Sequence, residues 1–432
     1  MPILRFALLS AAFSFLLSSA GSVAAATVPV APPAHVMQLA ELTPSTRAGN
    51  DWFGFSIAIS GNTVVVGAFD ANTEQYGTVY VYVKPGTGWA NMTQVATLTS
   101  SDDGQGFGTS VAISGNTIVV GAADTSNFDP RAPQAAGPGA AYVFVEPAGG
   151  WSGNLTESAK LTASDGQDGD AFGDSVSIDG ASIAVGAFFA VDSSGNGFAG
   201  KAYVFVKPTA GWSGTLTQTA ELTASDSELL NYLGVSMGIS GDTVIAGAQG
   251  HNNFQGAGYV FVESADGWTN MTQTAELTAS DGRGSADLGF ASAISGNTIV
   301  EGAPGAASAK GAAYLYVKPA GGWVSATQTA ELRAPSATAD DSFGQSAGIS
   351  GKAISIGAPN ATVAANGGQG AAYVFLEPSG GWQNTSHADE LTASDGAAND
   401  GFGLSIGISG STIVSGAINA NNLPGSAYVF GR

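Results

Sequence analysis

Short apolar runs separated by polar, glycine-led turns return seven times along the chain, and they return with the same internal spacing. In the clearest copy, Phe107 to Ala122, Val111-Ala112-Ile113 and Ile118-Val119-Val120 flank the turn Gly115-Asn116. β-Branched residues bounded by a two-residue turn predict two strands of a hairpin. Glycine holds the first turn position in all seven copies, at Gly61, Gly115, Gly180, Gly241, Gly296, Gly351 and Gly410, while the second position varies. That is the requirement of a type II′ turn, where the first central residue needs a positive φ. The glycine of a Phe-Gly or Leu-Gly pair opens each hairpin, and the glycine of a Gly-Ala pair follows 13 residues later, as from Gly108 to Gly121. Constant length means constant register, and self-similarity at this period marks a repeat architecture.

The rest of each unit predicts two more strands. Gly139-Ala140-Ala141-Tyr142-Val143-Phe144-Val145 reads as a third strand, a tryptophan follows its tyrosine by nine residues at Trp89, Trp151, Trp212, Trp268, Trp323 and Trp382, and a fourth strand ends in Leu-Thr or an equivalent. Four such strands make an antiparallel blade. The last unit stops at Arg432 without a fourth strand, whereas Met37 to Thr43, MQLAELT, resembles the fourth strands of other units and stands alone at the other end. One missing strand and one spare strand predict a seven-bladed ring closed by the N-terminal segment, with blades near 53–99, 107–162, 172–223, 233–278, 288–333, 343–392 and 402–432 plus 37–43. Leu39 and Leu42 are expected to be buried by that closure.

Composition agrees and narrows the function. Gly is abundant at 62 residues, charged residues are only 11% of the chain, and helix is expected to be almost absent. A formal net charge of -21 speaks against nucleic acid or an anionic membrane surface as partner. Cys is absent, which removes disulfides, thiolate metal sites and thiol nucleophiles. Arg5, the apolar run Phe6 to Leu17 and Val23-Ala24-Ala25 have the form of a cleaved signal peptide at 1–25, followed by a Pro-rich leader at 26–36. A secreted, periplasmic or cell-surface location is therefore expected, with no membrane span in the mature chain.

The Phe-Gly and Gly-Ala-Pro landmarks, complete at Gly302-Ala303-Pro304 and Gly357-Ala358-Pro359, resemble the FG-GAP repeat family, whose best-known member is the N-terminal propeller of integrin α subunits. The resemblance covers residues 37 to 432 and implies an all-β, seven-bladed β-propeller used in binding or adhesion. Many members of that family hold calcium in a loop between the first two strands. Here that connection is a two-residue turn, too short to supply six to eight oxygen ligands, so no calcium site is expected there.

Variation lies elsewhere. Loops between second and third strands run from seven residues (249–255) to sixteen (123–138), and on the same face the crossings between blades carry most of the aspartates. That loop face is expected to be acidic and to carry the function. Its sharpest metal candidate is Asp165, Asp168 and Asp170 on one glycine-rich crossing, for which calcium is the fitting ion; the plainer reading makes them turn and capping residues. Glu301 stands in a second-strand position that holds Val66, Val120, Val185, Ala246, Ile356 and Ser415 in the other blades. Buried there it needs a partner, with Arg283, Lys310 or channel water as the candidates; the alternative is a special site with Glu301 as a functional carboxylate. The tryptophans suit packing between blades better than sugar stacking, and sequon residues Asn91, Asn154, Asn270 and Asn384 share one repeat position. His35, His251 and His387 fall in no metal-binding spacing, and His251 reads as a polar loop tip.

These residues support a monomeric, non-enzymatic scaffold presenting an acidic loop face to a protein or glycan, with no cofactor. The alternatives are a divalent-metal-dependent lectin or adhesin and, third, a hydrolase using loop carboxylates.

Overall fold

The computed structural model describes residues 36–46, 51–70, 77–102, 104–123, 137–192, 195–420 and 425–431. Residues 1–35, which include the expected signal peptide at 1–25 and all but the last residue of the expected leader, lie outside the described residues. Seven antiparallel sheets follow one another in chain order, in a seven-bladed β-propeller. In the second blade the strands Phe107–Ser114, Thr117–Ala122, Ala140–Val145 and Ala159–Thr162 pair in succession, each antiparallel to the one before. The hairpin register is set by Ser114 opposite Thr117, and Gly115 takes φ +56°, as its turn demands. The two segments assigned as helix, His251–Phe254 and Ala306–Ala309, are left-handed turns with positive φ at Asn252, Asn253, Ala307 and Ser308.

Four strands per blade is an undercount for five of the seven sheets. The short segment after each tryptophan reaches back to the outer strand of the preceding blade and pairs with it in parallel, as Gly153–Thr156 does with Ala96–Thr99. The aspect of this link that the sequence shows is the sequon position. The Asn91, Asn270 and Asn384 side-chain oxygens accept backbone N–H bonds from Glu41, Glu221 and Glu331 of the neighbouring blade. These asparagines are part of the frame.

The ring closes as expected. Met37–Thr43 lies antiparallel to Ser426–Gly431, with Leu42 opposite Ala427 and Glu41 opposite Tyr428. Leu42 is fully buried, but Leu39 is 42% exposed: side chains alternate along the strand, so Ala40 shares the inward face of Leu42 and Leu39 lies on the other, beside a bulge between Gln38 and Ala40. Gln38 also accepts the backbone N–H of Ser394 from the sixth blade at 2.9 Å.

Two features of the repeat explain why the blades fit. Each Phe-Gly glycine takes a positive φ, +96° at Gly173, and its carbonyl oxygen points at the Gly-Ala glycine of the preceding blade. A Cβ on Gly121 would fall inside the van der Waals radius of Gly173 O, so a side chain at this position forces neighbouring sheets apart. The phenylalanine beside it fills the space between sheets: Phe172 meets Tyr203 and Phe205 edge-on or tilted at 5.5 and 6.0 Å. Apolar clusters accordingly straddle blades, and the tryptophans of the six turns are only 4 to 9% exposed within them. Sugar stacking on those rings is excluded by their burial.

A ring of hydrogen bonds surrounds the opening at the hairpin end. The first turn glycine of every blade donates its N–H to the side chain that ends the preceding blade's first strand, from Gly115 to Ser60 and round to Gly61 with Ser409. Ile57, Ile59, Ile113, Ile178, Ile239 and Ile408 are among the first-strand residues lining the channel inside it.

Candidate functional site

Second-to-third-strand loops and blade crossings share the face opposite the hairpins, and on it the third-strand tyrosines organise the charge. Four of them point their hydroxyl at an aspartate of the crossing that enters their blade: Tyr142 donates to Asp102 at 2.7 Å, Tyr203 to Asp165 at 3.1 Å, Tyr259 to Asp226 at 3.0 Å and Tyr314 to Asp281 at 2.9 Å, whereas Tyr373 meets Glu390. Burial, followed by the adjacent carboxylate, pushes the hydroxyls of Tyr142, Tyr203 and Tyr314 well above the usual phenol range, so they stay protonated and donate to it. The residue paired across from each of the four tyrosines in the fourth strand is Lys160, Glu221, Glu276 or Glu331. The three glutamates turn into the loop-end clusters, where they meet Lys201, His251 and Arg333 respectively.

The three aspartates singled out from the sequence part company in the structure. Asp165 is held by Lys201 Nζ at 2.6 Å and by Tyr203; burial opposes its charge, but these two partners keep its carboxyl below the usual range. Asp170 is buried and accepts the Gln167 N–H at 2.8 Å, capping the turn before Phe172. Asp341 and Asp400 accept the N–H groups of Thr338 and Ala397 in the same way, which identifies the cap as a repeat feature. Asp168 is exposed. Asp103, Asp124 and Asp129 lie outside the described residues, as does His35.

Glu301 is fully buried, and neither Arg283 nor Lys310 is its partner. Ser292 Oγ donates to its Oε2 at 2.7 Å, Ser292 and Ser236 hydroxyls are 2.6 Å apart, and Ser236 donates to Gly289 O. With a carboxylate, both hydroxyl hydrogens are spent and the Ser236–Ser292 contact has none. A protonated Glu301 supplies the missing hydrogen to the chain, in agreement with burial, which pushes its carboxyl well above the usual range. Its Oε1 has no partner. In the channel mouth, burial also pushes the Asp174 carboxyl up to about 7.

Two features of the loop face could not be assembled from local sequence. Phe188, Phe189 and Phe198 of the third blade's loop, Tyr232 of the next crossing and Phe254 of the fourth blade's loop form a chain of ring contacts with centroids 3.8 to 6.3 Å apart. Phe254 is 36% exposed and the nearby Leu229 62% exposed. The second is a group of Asp226, His251 and Glu276, whose ligand atoms all lie within 4.8 Å of one another; it is the one such group among the described residues. The only sequence signal for either was a cluster of aromatics in the third blade's loop and a histidine where the other loops have none.

A rigid ring of repeated blades with an irregular, aromatic and charged face on one side is the organisation of a propeller-type binding scaffold. The FG-GAP repeat model matches seven times, at residues 36–82, 92–144, 155–205, 216–261, 271–316, 326–375 and 385–430, and the chain belongs to that family. Each matched unit begins near a fourth strand and runs through the next three, so the first unit begins with the strand that closes the ring. Comparison with curated proteins gives no match. Among the described residues no helix is long and apolar enough to cross a membrane.

Proposed function

We propose that this chain is an exported, non-enzymatic binding scaffold that engages a protein or glycan partner through the loop face of its third and fourth blades. The observation carrying this reading is the aromatic group Phe188, Phe189, Phe198, Tyr232 and Phe254, with Leu229 exposed beside it. Partly exposed rings held by loop packing on a rigid frame are the anchors that protein interfaces use, and their faces also suit sugar rings. Family membership supports a binding or adhesion role, and the signal-like residues 1–25 support export. Asp102, Asp165 and Asp281 already have cationic partners in Lys160, Lys201 and Arg333, so the acidity of this face is partly neutralised within the fold.

Arrays of glycans and of purified extracellular proteins, probed with the full chain, test the reading. Ligands found there should lose at least tenfold in affinity with Phe254→Ala combined with Leu229→Ser, and should keep it with Lys352→Ala on the hairpin face. The opposite pattern refutes the assignment of the face.

A further inference from the structure

Successive blades provide internal controls for the cluster around His251. In the third blade an ammonium lies between the two carboxylates, with Lys201 Nζ 2.6 Å from Asp165 and 3.0 Å from Glu221. In the fifth, the Arg333 guanidinium lies 3.7 Å from Asp281 and contacts Glu331. The fourth blade keeps the equivalent carboxylates, Asp226 and Glu276, but places an imidazole beside them. An imidazole, unlike ammonium or guanidinium, is not a permanent cation near neutral pH.

The turn itself does not require histidine. Gly305-Ala306-Ala307-Ser308-Ala309 of the fifth blade makes the same left-handed turn as Gly250-His251-Asn252-Asn253-Phe254, with alanine in the histidine's place. What the histidine faces is specific. Its Nδ1 is 3.2 Å from Asn231 Oδ1 and 3.1 Å from Tyr259 Oη, whose own hydrogen is donated to Asp226. Both neighbours therefore accept, and the hydrogen belongs on Nδ1. Asn231 is 1% exposed, so this orienting contact is made from inside the protein. The Nε2 lone pair is left aimed at Glu276 Oε1, 3.4 Å away.

Two acceptors facing each other need a positive charge between them. At 3.4 Å the pair is longer than an N–H···O bond, which spans about 2.7–3.2 Å. It does match the edge of a tetrahedron around an ion with metal–ligand bonds of about 2.0–2.2 Å, roughly 3.4 Å. A buried partner fixing the far ring nitrogen is also the usual support of a metal-bound histidine. Burial, and then the charge of Asp226, push the Glu276 carboxyl up, a cost that a cation between them would remove.

We propose that His251 Nε2, Glu276 and Asp226 form a three-ligand site for a divalent transition ion of the zinc type, with its fourth position open to solvent. One imidazole and two carboxylates suit zinc better than calcium, which takes six to eight oxygens. The side chains of His251 and Glu276 are 15% and 28% exposed, which leaves the ion a way in. This site stands or falls independently of the loop face's partner.

The test is calorimetric titration of chelator-treated full chain with zinc chloride, in excess magnesium to occupy diffuse acidic sites. One equivalent should bind, and His251→Ala and Glu276→Gln should each weaken binding at least tenfold. The alanine at the equivalent position of the fifth blade indicates that His251→Ala will fold, which the melting curve of the chelated variant checks. Zinc-edge X-ray absorption of the wild type, which does not depend on any variant, should show one imidazole with oxygen ligands. Absence of stoichiometric zinc binding, binding unchanged in both variants, or a spectrum without imidazole overturns the proposal.

Discussion

Leu42 and Leu39 offer a test of how the ring is closed, because the two residues belong to one strand and differ only in which side of it they occupy. Leu42 is fully buried in a cluster with Ala40, Phe53, Val64, Tyr82, Trp89 and Val429, so it joins the first blade to the last. Truncating a fully buried leucine costs about 2–5 kcal/mol, through lost transfer energy and the cavity left behind. Leu39, at 42% exposure, has less to lose, and Leu39→Ala should cost under about 1 kcal/mol. Urea unfolding followed by tryptophan fluorescence measures both, since Trp89 lies in the same cluster as Leu42. Leu42→Ala should lower the midpoint strongly, Leu39→Ala barely, and deletion of 36–44 more than either. Equal effects of the two alanines would refute this assignment of strand faces, and an unchanged midpoint after the deletion would refute closure by this strand.

Gly186→Ala should destabilise by at least about 2 kcal/mol in the same assay, because a Cβ there meets the Gly234 carbonyl of the next blade; a loss under 0.5 kcal/mol, on the order of a surface substitution, would show that the blades can separate freely. Asp174, with its folded value near 7, holds a proton that the unfolded chain releases near pH 4, so native stability should fall as pH rises from about 4 to about 7 and then level. Asp174→Asn should match wild type at pH 4 and exceed it at pH 8, as read from melting temperature; a lower melting temperature at pH 8 would contradict the sign. Glu301 is raised in the same direction, so Glu301→Gln should likewise gain on wild type as pH rises above the ordinary glutamate value, and infrared absorption of a protonated carboxyl at pH 7, absent in the variant, would confirm the neutral acid.

The frame was legible in the sequence because each of its parts is a local requirement repeated seven times. A glycine-led turn, a phenylalanine before a positive-φ glycine and a small residue thirteen positions on can be read in one window, and together they demand a closed ring. Leu39 was misread because both leucines were assigned to the core by composition, whereas strand alternation sets Leu39 and Leu42, three residues apart, on opposite faces and buries Ala40 with Leu42. The extra parallel strand was missed because two to four residues such as Met92-Thr93 are too short to show a period. The loop-face groups were missed for a different reason. Asp226, His251 and Glu276 come from a crossing, a turn and an outer strand, each ordinary in its own window, and only the fold brings them within reach of one ion.

Repetition also supplies a way to separate what the fold needs from what it merely tolerates. Asp170, Asp341 and Asp400 make one cap in three blades, so the acidity of that position is structural and needs no ligand to explain it. Six blades place a serine two residues after the Phe-Gly or Leu-Gly glycine, and its hydroxyl bonds the next blade's glycine carbonyl; the fifth blade has Ala291 there, and its Ser292 and Glu301 form a separate buried chain reaching Ser236. One proton completes that chain, with Glu301 Oε1 alone left without a partner, which makes Glu301 a substitution the frame absorbed. His251 is an exception of another kind. The turn forms without it in the next blade, the carboxylates beside it have permanent cations in the third and fifth, and its Nε2 faces an acceptor. A residue that the fold does not need, set between two carboxylates, is what the proposed zinc site rests on.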